Sequence, residues 1–562
     1  METLRDDDEE ASAVARRRTL TDQLSSAIGA SLASNPVCGD GPSTGLADRL
    51  AIMDEFVEQM GIRDKIAATR QAAHDDGSGW SALAAGGSLD TTALVRDVDA
   101  SLRVSGDERV LVLEITLDGD SAQFRHAFGL APAAPPTVVL DPRYRYLSYS
   151  PAGQPCPELA LPDPRPTDPQ VLQRIGALLG AFTEQYRRLK GREPHFDHTV
   201  TEAELVAAEQ AMGLRLPEDV RALYLLAGSD LAEIGLLGRY SLMSLDRIVE
   251  DQQYAPRFWA DLFAGDERVA IEPYPPGILR RLRTSQWWVM IGADGSGGGC
   301  AVDLDPAPGG RYGQLFERYA TDVPVPLAES ATALLTEVVE ALRRNDISDY
   351  HVSDRSYQDM DYVSANLSPR PTLCRDAREL GRRVDDRDLV QLLADHRDLE
   401  HVQQIRLYDA ELLDLRALSV TPQARTVYVE NARLVQLWLP ELVESLTLQA
   451  QHADLSAIDG HPALWDLTIS GLSVEVAQLA QLPALTRLDA SGARLDDVAA
   501  LADLDLRVLV LNGDQWEQIR AAGRVPTTLA GARIAGEQSM ARAVEWAQWL
   551  NSQDAVTAPD YD

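Results

Sequence analysis

The chain has 562 residues, 45% of them apolar and 25% charged, enough for about three or four ordinary globular domains. Its net charge of −35 excludes the extended basic face that nucleic acid or an anionic membrane requires, and suits a soluble protein that meets a basic partner. The four cysteines, Cys38, Cys156, Cys300 and Cys374, form no C-x-x-C pair, which excludes a zinc knuckle or a thioredoxin-type site and reads as free thiols in a reducing compartment.

Residues 1–45 are acidic, then rich in Arg, Ser and Gly, and are expected to form a disordered tail. Met1 to Glu10 has no apolar core for a signal peptide, and no apolar run approaches the roughly 18 residues of a membrane helix, so a cytoplasmic location is expected. The only lysines are Lys65 and Lys190, an arginine bias that suggests a GC-rich genome. Residues 46–190 read as an α/β module of no recognised kind. Leu50, Met53, Phe56, Val57 and Met60 share a helical face, Val110–Leu117 and Pro136–Ser150 read as strands, and Val171–Lys190 reads as a helix.

From Thr201 the local grammar is explicit. Thr201 and Glu204 have the spacing of a capping box, Leu205, Ala208 and Met212 make one stripe, and Gly213 ends the helix. Pro217 then opens a second helix, with Glu218 and Asp219 at its positive end and Val220, Leu223, Tyr224 and Ala227 on its buried face. Trp287 to Asp305 reads as strand, glycine turn, strand, Pro306 to Phe316 as a further turn and strand, and Ala328 to Arg344 as a helix. The segment 196–348 resembles the SUKH superfamily, which includes fungal cell-wall-synthesis regulators and bacterial toxin-immunity proteins. The resemblance rests on Glu204, Glu209, Gly213 and Leu216-Pro217-Glu218-Asp219, then Ile291-Gly292, Asp294-Gly295, Asp303-Leu304-Asp305-Pro306 and Gly313-Gln314. It departs at Ala227-Gly228, where the family usually has Asn-Gly, and at Gly299-Cys300, where an acidic residue often follows the glycines. It implies a compact α+β domain that grips a protein partner, in bacteria commonly a toxin's catalytic domain.

Residues 349–400 read as a linker or helical capping segment. From His401 an apolar pair recurs at Ile405/Leu407, Val427/Val429, Leu446/Leu448, Leu467/Ile469, Leu488/Ala490 and Leu509/Leu511, in steps of 22, 19, 21, 21 and 21 residues. Each pair follows an apolar residue three positions earlier, the leucine-rich-repeat pattern L-x-x-L-x-L over 401–550. The usual Asn/Cys ladder position holds Ala410, Ala432, Gln451, Leu472, Ala493 and Asp514. Trp546, Trp549 and Leu550 on a final helix are expected to cap the stack. Strand alternation turns Arg406, Tyr428, Thr447, Thr468 and Asp489 outward in one column, and Tyr408 and Glu430 in a second.

No catalytic or cofactor motif is encoded. The glycines at 295–299 lack the G-K-[ST] of a phosphate loop, and Cys300 stands where a dinucleotide fingerprint needs glycine. An EF-hand loop from Asp303 would place Gln314 at its twelfth position instead of glutamate. His195 and His198 have no third metal ligand at useful spacing. The expected fold class is therefore multidomain α+β, comprising an N-terminal α/β module, a SUKH-type domain and a leucine-rich-repeat α/β solenoid. The expected function is non-enzymatic binding of a protein partner, a basic toxin domain, without cofactor, metal, nucleic acid or membrane. The candidate contacts are Arg406, Tyr408, Tyr428, Glu430, Thr447, Thr468 and Asp489 on the repeats, and Trp287, Asp294, Asp303 and Asp305 in the middle domain. A scaffold for growth or envelope control and an enzyme within 46–190 are the alternatives.

Overall fold

The computed structural model describes residues 111–553 apart from short stretches, the longest at 259–267 and 349–363. The tail, the apolar face at Leu50–Met60, Cys38, Cys374, His198 and the turn residues Gly295 and Gly297 lie outside the described residues. These form a mixed α/β architecture with several sheets, and none of their helices is long and apolar enough to cross a membrane. The chain divides into two compact units, 143–529 with 557–562, and 1–142 with 530–556.

In the unit that holds both ends of the described chain, strands β1 (Leu111–Asp118) and β2 (Ser121–Phe128) pair antiparallel. The short strands β3 (Leu130–Ala131) and β4 (Thr137–Val139) follow and also pair antiparallel. The strand expected over Pro136–Ser150 is thus only three residues long.

The larger unit begins its regular structure with α1 (Pro169–Lys190), capped by Asp168 and ended by Gly191 in the left-handed region (φ 74°). Ile175, Leu179, Phe182 and Tyr186 recur at helical spacing and are buried. They share one core with Leu205, Val220, Leu223, Leu334 and Val338, so the helix read as the end of the N-terminal module packs into the middle domain instead. Periodicity shows that a helix has an apolar face, not which sheet or helix covers it.

Next come α2 (Glu202–Met212) and α3 (Glu218–Ala227). The Thr201 hydroxyl accepts from the Glu204 N–H, and the Glu204 carboxylate accepts from the Thr201 N–H at 2.8 Å. Strand β5 (Ser241–Leu242), helix α4 (Leu245–Phe258) and strands β6 (Trp288–Ala293), β7 (Gly298–Asp303), β8 (Gln314–Tyr319) and β9 (Val325–Ala328) follow. The five strands form an antiparallel meander in chain order. Helix α5 (Ala331–Arg344) closes the domain with seven buried residues on its inner face. The pair β10 (Ile347–Ser348) and β11 (Ser364–Ala365) leads out of it.

Beyond it lies a ladder of parallel strands: β12 (Glu379–Asp385), then after helix α6 (Leu389–Ala394) the strands β13 (Gln404–Asp414), β14 (Thr426–Gln436), β15 (Ser445–Ala453), β16 (Asp466–Val474), β17 (Arg487–Leu495) and β18 (Val508–Asn512). Each pairs in parallel with the next. Strand β12 falls in the stretch read as linker, where Arg382 takes the place paired with Leu407 and so hides the apolar pattern. Within β13 and β14 the backbone turns a corner at Asp409 and Asn431, both at φ 54°. In β16 the corner is Gly471 (φ 79°), where a Cβ would stand 2.5 Å from the Ala450 carbonyl oxygen. Past the corner, Ala410, Ala432, Ala450 and Ala493 are buried. The third of these is Ala450, not the exposed Gln451 expected from the spacing, because β15 lacks one corner residue between the positions paired with Val429 and Ala432. Three connections open on an aspartate cap, Asp414, Asp454 and Asp497, each accepting a backbone N–H of the following 3-10 turn.

Helix α7 (Gly513–Ala522) follows the ladder. Strand β19 (Gly531–Ala535) and helix α8 (Met540–Asn551) return to the first unit. There β19 pairs antiparallel with β4. From α8, Gln548 donates to the His126 carbonyl at 2.7 Å and Asn551 to that of Phe128 at 3.0 Å. The final helix, expected to cap the repeat stack, makes these bonds to β2.

Candidate partner surface and the charged seam beside it

In the middle domain the motif residues hold the fold. Glu209 is buried, and its carboxylate accepts the Leu216 N–H at 2.9 Å, which fixes the chain at the Leu-Pro elbow. The same carboxylate pairs with the fully buried Arg221, which also reaches Glu202 at 2.7 Å and the Thr167 hydroxyl at 3.1 Å. Burial pushes the Glu209 carboxyl above its ordinary range, against the pull of Arg221. Asp219 accepts from the Thr332 N–H at 2.8 Å and so ties α3 to the start of α5. Glu218 pairs with Arg215 at 2.6 Å.

The four candidate contacts of this domain divide. Trp287 is buried in the main core, while Trp288 packs on the opposite face of the sheet with Phe316, ring centroids 5.0 Å apart. Alternation separates the two rings, and both faces of the sheet are covered, so Trp287 is a core residue. Asp303 is also fully buried. It accepts from Gln314 Nε2 at 2.9 Å and from the Asp305 N–H at 3.0 Å, while the same Gln314 amide donates to the Ile278 carbonyl at 3.0 Å. It therefore ties its own turn together and is not available to a partner. Asp305 pairs with Arg280 at 2.8 Å and is half-buried. Asp294 accepts from the Gly298 N–H at 2.9 Å, where β6 ends and β7 begins.

Burial pushes the Asp303 carboxyl up from 3.8 to about 6, outweighing its hydrogen bonds. An acid whose pKa is raised on folding stabilises the fold while it stays protonated. That stability is therefore lost as pH rises from about 4 to about 6, a fall of about 2–3 kcal/mol. In Asp303→Asn that part of the pH dependence should vanish. The check is amide exchange of β7 and β8 at pH 4.5 and 7 in both proteins, and an unchanged pH difference in the variant would refute the assignment.

On the ladder, the register places Arg406, Tyr428, Thr447, Thr468 and Asp489 in one unbroken row across β13 to β17. The Arg406 guanidinium lies over the Tyr428 ring, 4.5 Å from its centroid. Tyr428 is thereby buried, while the other four are half-buried. In the second column Tyr408 and Glu430 are paired neighbours, both half-buried.

The sequence reading missed a row one step earlier, at the two positions between the first and second apolar residues of each repeat. Here Gln403, Thr426, Glu444, Ser445, Asp466 and Arg487 are buried. Two arginines from 268–283 of the middle domain reach this row. Arg268 Nε donates to Asp466 at 2.8 Å; Asp466 also holds Arg487 and the Ser445 hydroxyl, each at 2.7 Å. Burial works against the Asp466 charge, but Arg487 and Arg268 outweigh it and keep the carboxyl below its ordinary range. Arg281 donates to Glu444 at 2.7 Å, and Glu444 also takes Arg425 at 2.8 Å and Trp465 Nε1 at 3.3 Å. The Gln403 side chain accepts from the Glu272 N–H at 2.7 Å and donates to the Glu272 carbonyl at 3.3 Å. The recurrence of charge at fixed repeat positions, Arg425, Glu444, Asp466 and Arg487, was the available signal. What it faced was not legible, because 268–283 lies more than a hundred residues away.

Against known proteins, residues 199–337 match the SMI1 / KNR4 family (SUKH-1). The chain is 29% identical over 127 residues to the cell wall biosynthesis/cell cycle regulator smi1 of Schizosaccharomyces pombe, covering 21% of this chain and 25% of that protein. The chain thus spans about a quarter of the length of that relative. The elbow held by Glu209, the tie from Asp219 and the turn closed by Asp303 and Gln314 all lie inside the matched stretch, and residues 199–337 form a SUKH-1 domain of the SMI1/KNR4 kind.

Proposed function

We propose that this chain is a cytoplasmic, non-enzymatic binding protein that neutralises a basic toxin domain. The observation that carries the reading is the row Arg406, Thr447, Thr468 and Asp489, half-buried polar side chains in register on parallel strands, with the Tyr428 ring buried beneath Arg406 and so not itself a contact. In this reading the ladder is a leucine-rich-repeat solenoid that presents the row, and the SUKH-1 domain supplies a second contact surface. A net charge of −35 speeds association with a basic partner and disfavours acidic ones.

The test is affinity purification of the tagged protein from its native host, alongside Asp489→Arg and Thr447→Arg, each of which sets a positive charge against a basic partner. A stoichiometric basic partner is expected, with each variant binding it at least about tenfold more weakly, as for residues near the centre of an interface. A partner held equally by both variants would remove the row from the interface. Recovery of no stoichiometric partner would end the toxin reading.

The resemblance to smi1 favours a second reading, a regulator of growth or cell-envelope synthesis. It predicts an envelope-synthesis assembly in place of a toxin in the same purification.

A further inference from the structure

The seam between the SUKH-1 domain and the ladder is built unlike the core on either side of it. Among the described residues its polar cross-links are the pairs Arg268–Asp466 and Arg281–Glu444 and the reciprocal bonds of Gln403 with the Glu272 backbone; beside them Tyr274 meets His401 edge-on, and Val269, Ala270 and Ile271 of the same segment are buried. Both arginines come from 268–283, a segment between α4 and β6 made mostly of turns and bends, with Arg268 in a 3-10 turn at its start. Each carboxylate also has partners on the ladder itself. Without Arg268, Asp466 keeps Arg487 and the Ser445 hydroxyl; without Arg281, Glu444 keeps Arg425 and Trp465 Nε1. Separation therefore strands no buried acid, which is the outcome that makes breaking most buried ion pairs so costly. Arg281 likewise keeps a bond within its own domain, donating to the Ala270 carbonyl at 2.9 Å. Two buried polar atoms on the ladder side, Arg425 Nε and Thr426 Oγ1, have no hydrogen-bond partner among the described residues, so hydration of this row lowers their free energy. A polar contact between domains of one chain is the kind that permits relative motion.

We propose that the 268–283 segment is a releasable latch, closed by Arg268 and Arg281 on the strand row of Glu444 and Asp466, whose opening leaves the SUKH-1 domain and the ladder each folded. Opening releases Arg268 from Asp466 and Arg281 from Glu444 and uncovers the starts of β15 and β16. The inference rests on the seam alone and is independent of the toxin reading.

The experiment is native-state amide exchange on the full chain, unmodified and as the double variant Arg268→Ala/Arg281→Ala, across low urea concentrations. The Glu272 N–H, bonded across the seam, is the reporter; the amides of α5 and of Leu446–Leu448 report the two folded parts. In the unmodified protein the Glu272 amide should exchange at least tenfold faster, relative to its unprotected rate, than the amides of α5 and β15. In the double variant its exchange should rise a further tenfold or more, with α5 and β15 unchanged. The latch is refuted if the three regions exchange through one common opening, if the variant exposes all three together, or if the Glu272 amide is indifferent to loss of both arginines.

Discussion

Asp466→Ala should destabilise the ladder by about 3–5 kcal/mol, the range for removing one member of a buried ion pair. Arg487 is buried beside Asp466 on the neighbouring strand and Arg268 enters from the SUKH-1 domain, and the substitution leaves both guanidiniums facing a hole in place of a carboxylate. The Ser445 hydroxyl loses its acceptor in the same change. Amide exchange at Leu446, Leu467 and Leu488 should accelerate by about a hundredfold or more, since each 1.4 kcal/mol is a factor of ten. Arg268→Ala should leave those amides protected, because Asp466 retains Arg487. The contrast between the two variants is the informative result: equal effects would make Arg268 as integral to the ladder as Asp466.

Glu209→Ala should cost the SUKH-1 domain about 3 kcal/mol, the lower end for a broken buried pair, because Glu202 remains on Arg221. Two things fail together. Arg221, with no exposed side-chain surface, loses its nearer carboxylate, and the Leu216 N–H loses the acceptor that holds the elbow before Pro217. Exchange across α3 should rise by roughly a hundredfold, and the ladder amides should stay as they were. Glu209→Gln keeps an acceptor for the Leu216 N–H and should recover part of the loss. If alanine and glutamine behave alike, the ion pair alone carries the effect and the elbow bond contributes nothing measurable.

These two results bear on the whole chain in different ways. Apart from Thr167, the Glu209 network lies within residues 199–337, the stretch that matches the SMI1/KNR4 family, and concerns how that domain stands by itself. The Asp466 network centres on the ladder, outside the match, and joins the SUKH-1 domain to it through Arg268. A partner that binds the ladder row and one that binds the SUKH-1 domain would respond differently to variants in the two networks.

By itself the sequence determined whatever is written in short periods and local caps. The box at Thr201 and Glu204 and the stop at Gly213 are legible because their partners lie within a turn or two of helix. The apolar pairs from Ile405 to Leu509 are legible because a parallel ladder repeats one rung at nearly constant length, and the register that aligns Arg406 with Tyr428 follows from that spacing. Where a rung changed length the spacing misled by one residue, at Ala450, and where an arginine took an apolar place the rung at β12 was hidden. Only the tertiary structure decided which faces are covered. Asp303 and Trp287 look like surface residues of a turn and a strand, yet one closes a buried turn and the other fills a core, since burial depends on what the rest of the chain lays over them. The same holds for α1, whose apolar stripe is a local fact and whose place in the SUKH-1 core is not. Above all, the charges of Glu444 and Asp466 are encoded rung by rung, while their partners Arg268 and Arg281 arrive from a segment more than a hundred and fifty residues earlier. No local pattern carries a pairing over that distance, because it is set by the path of the folded chain.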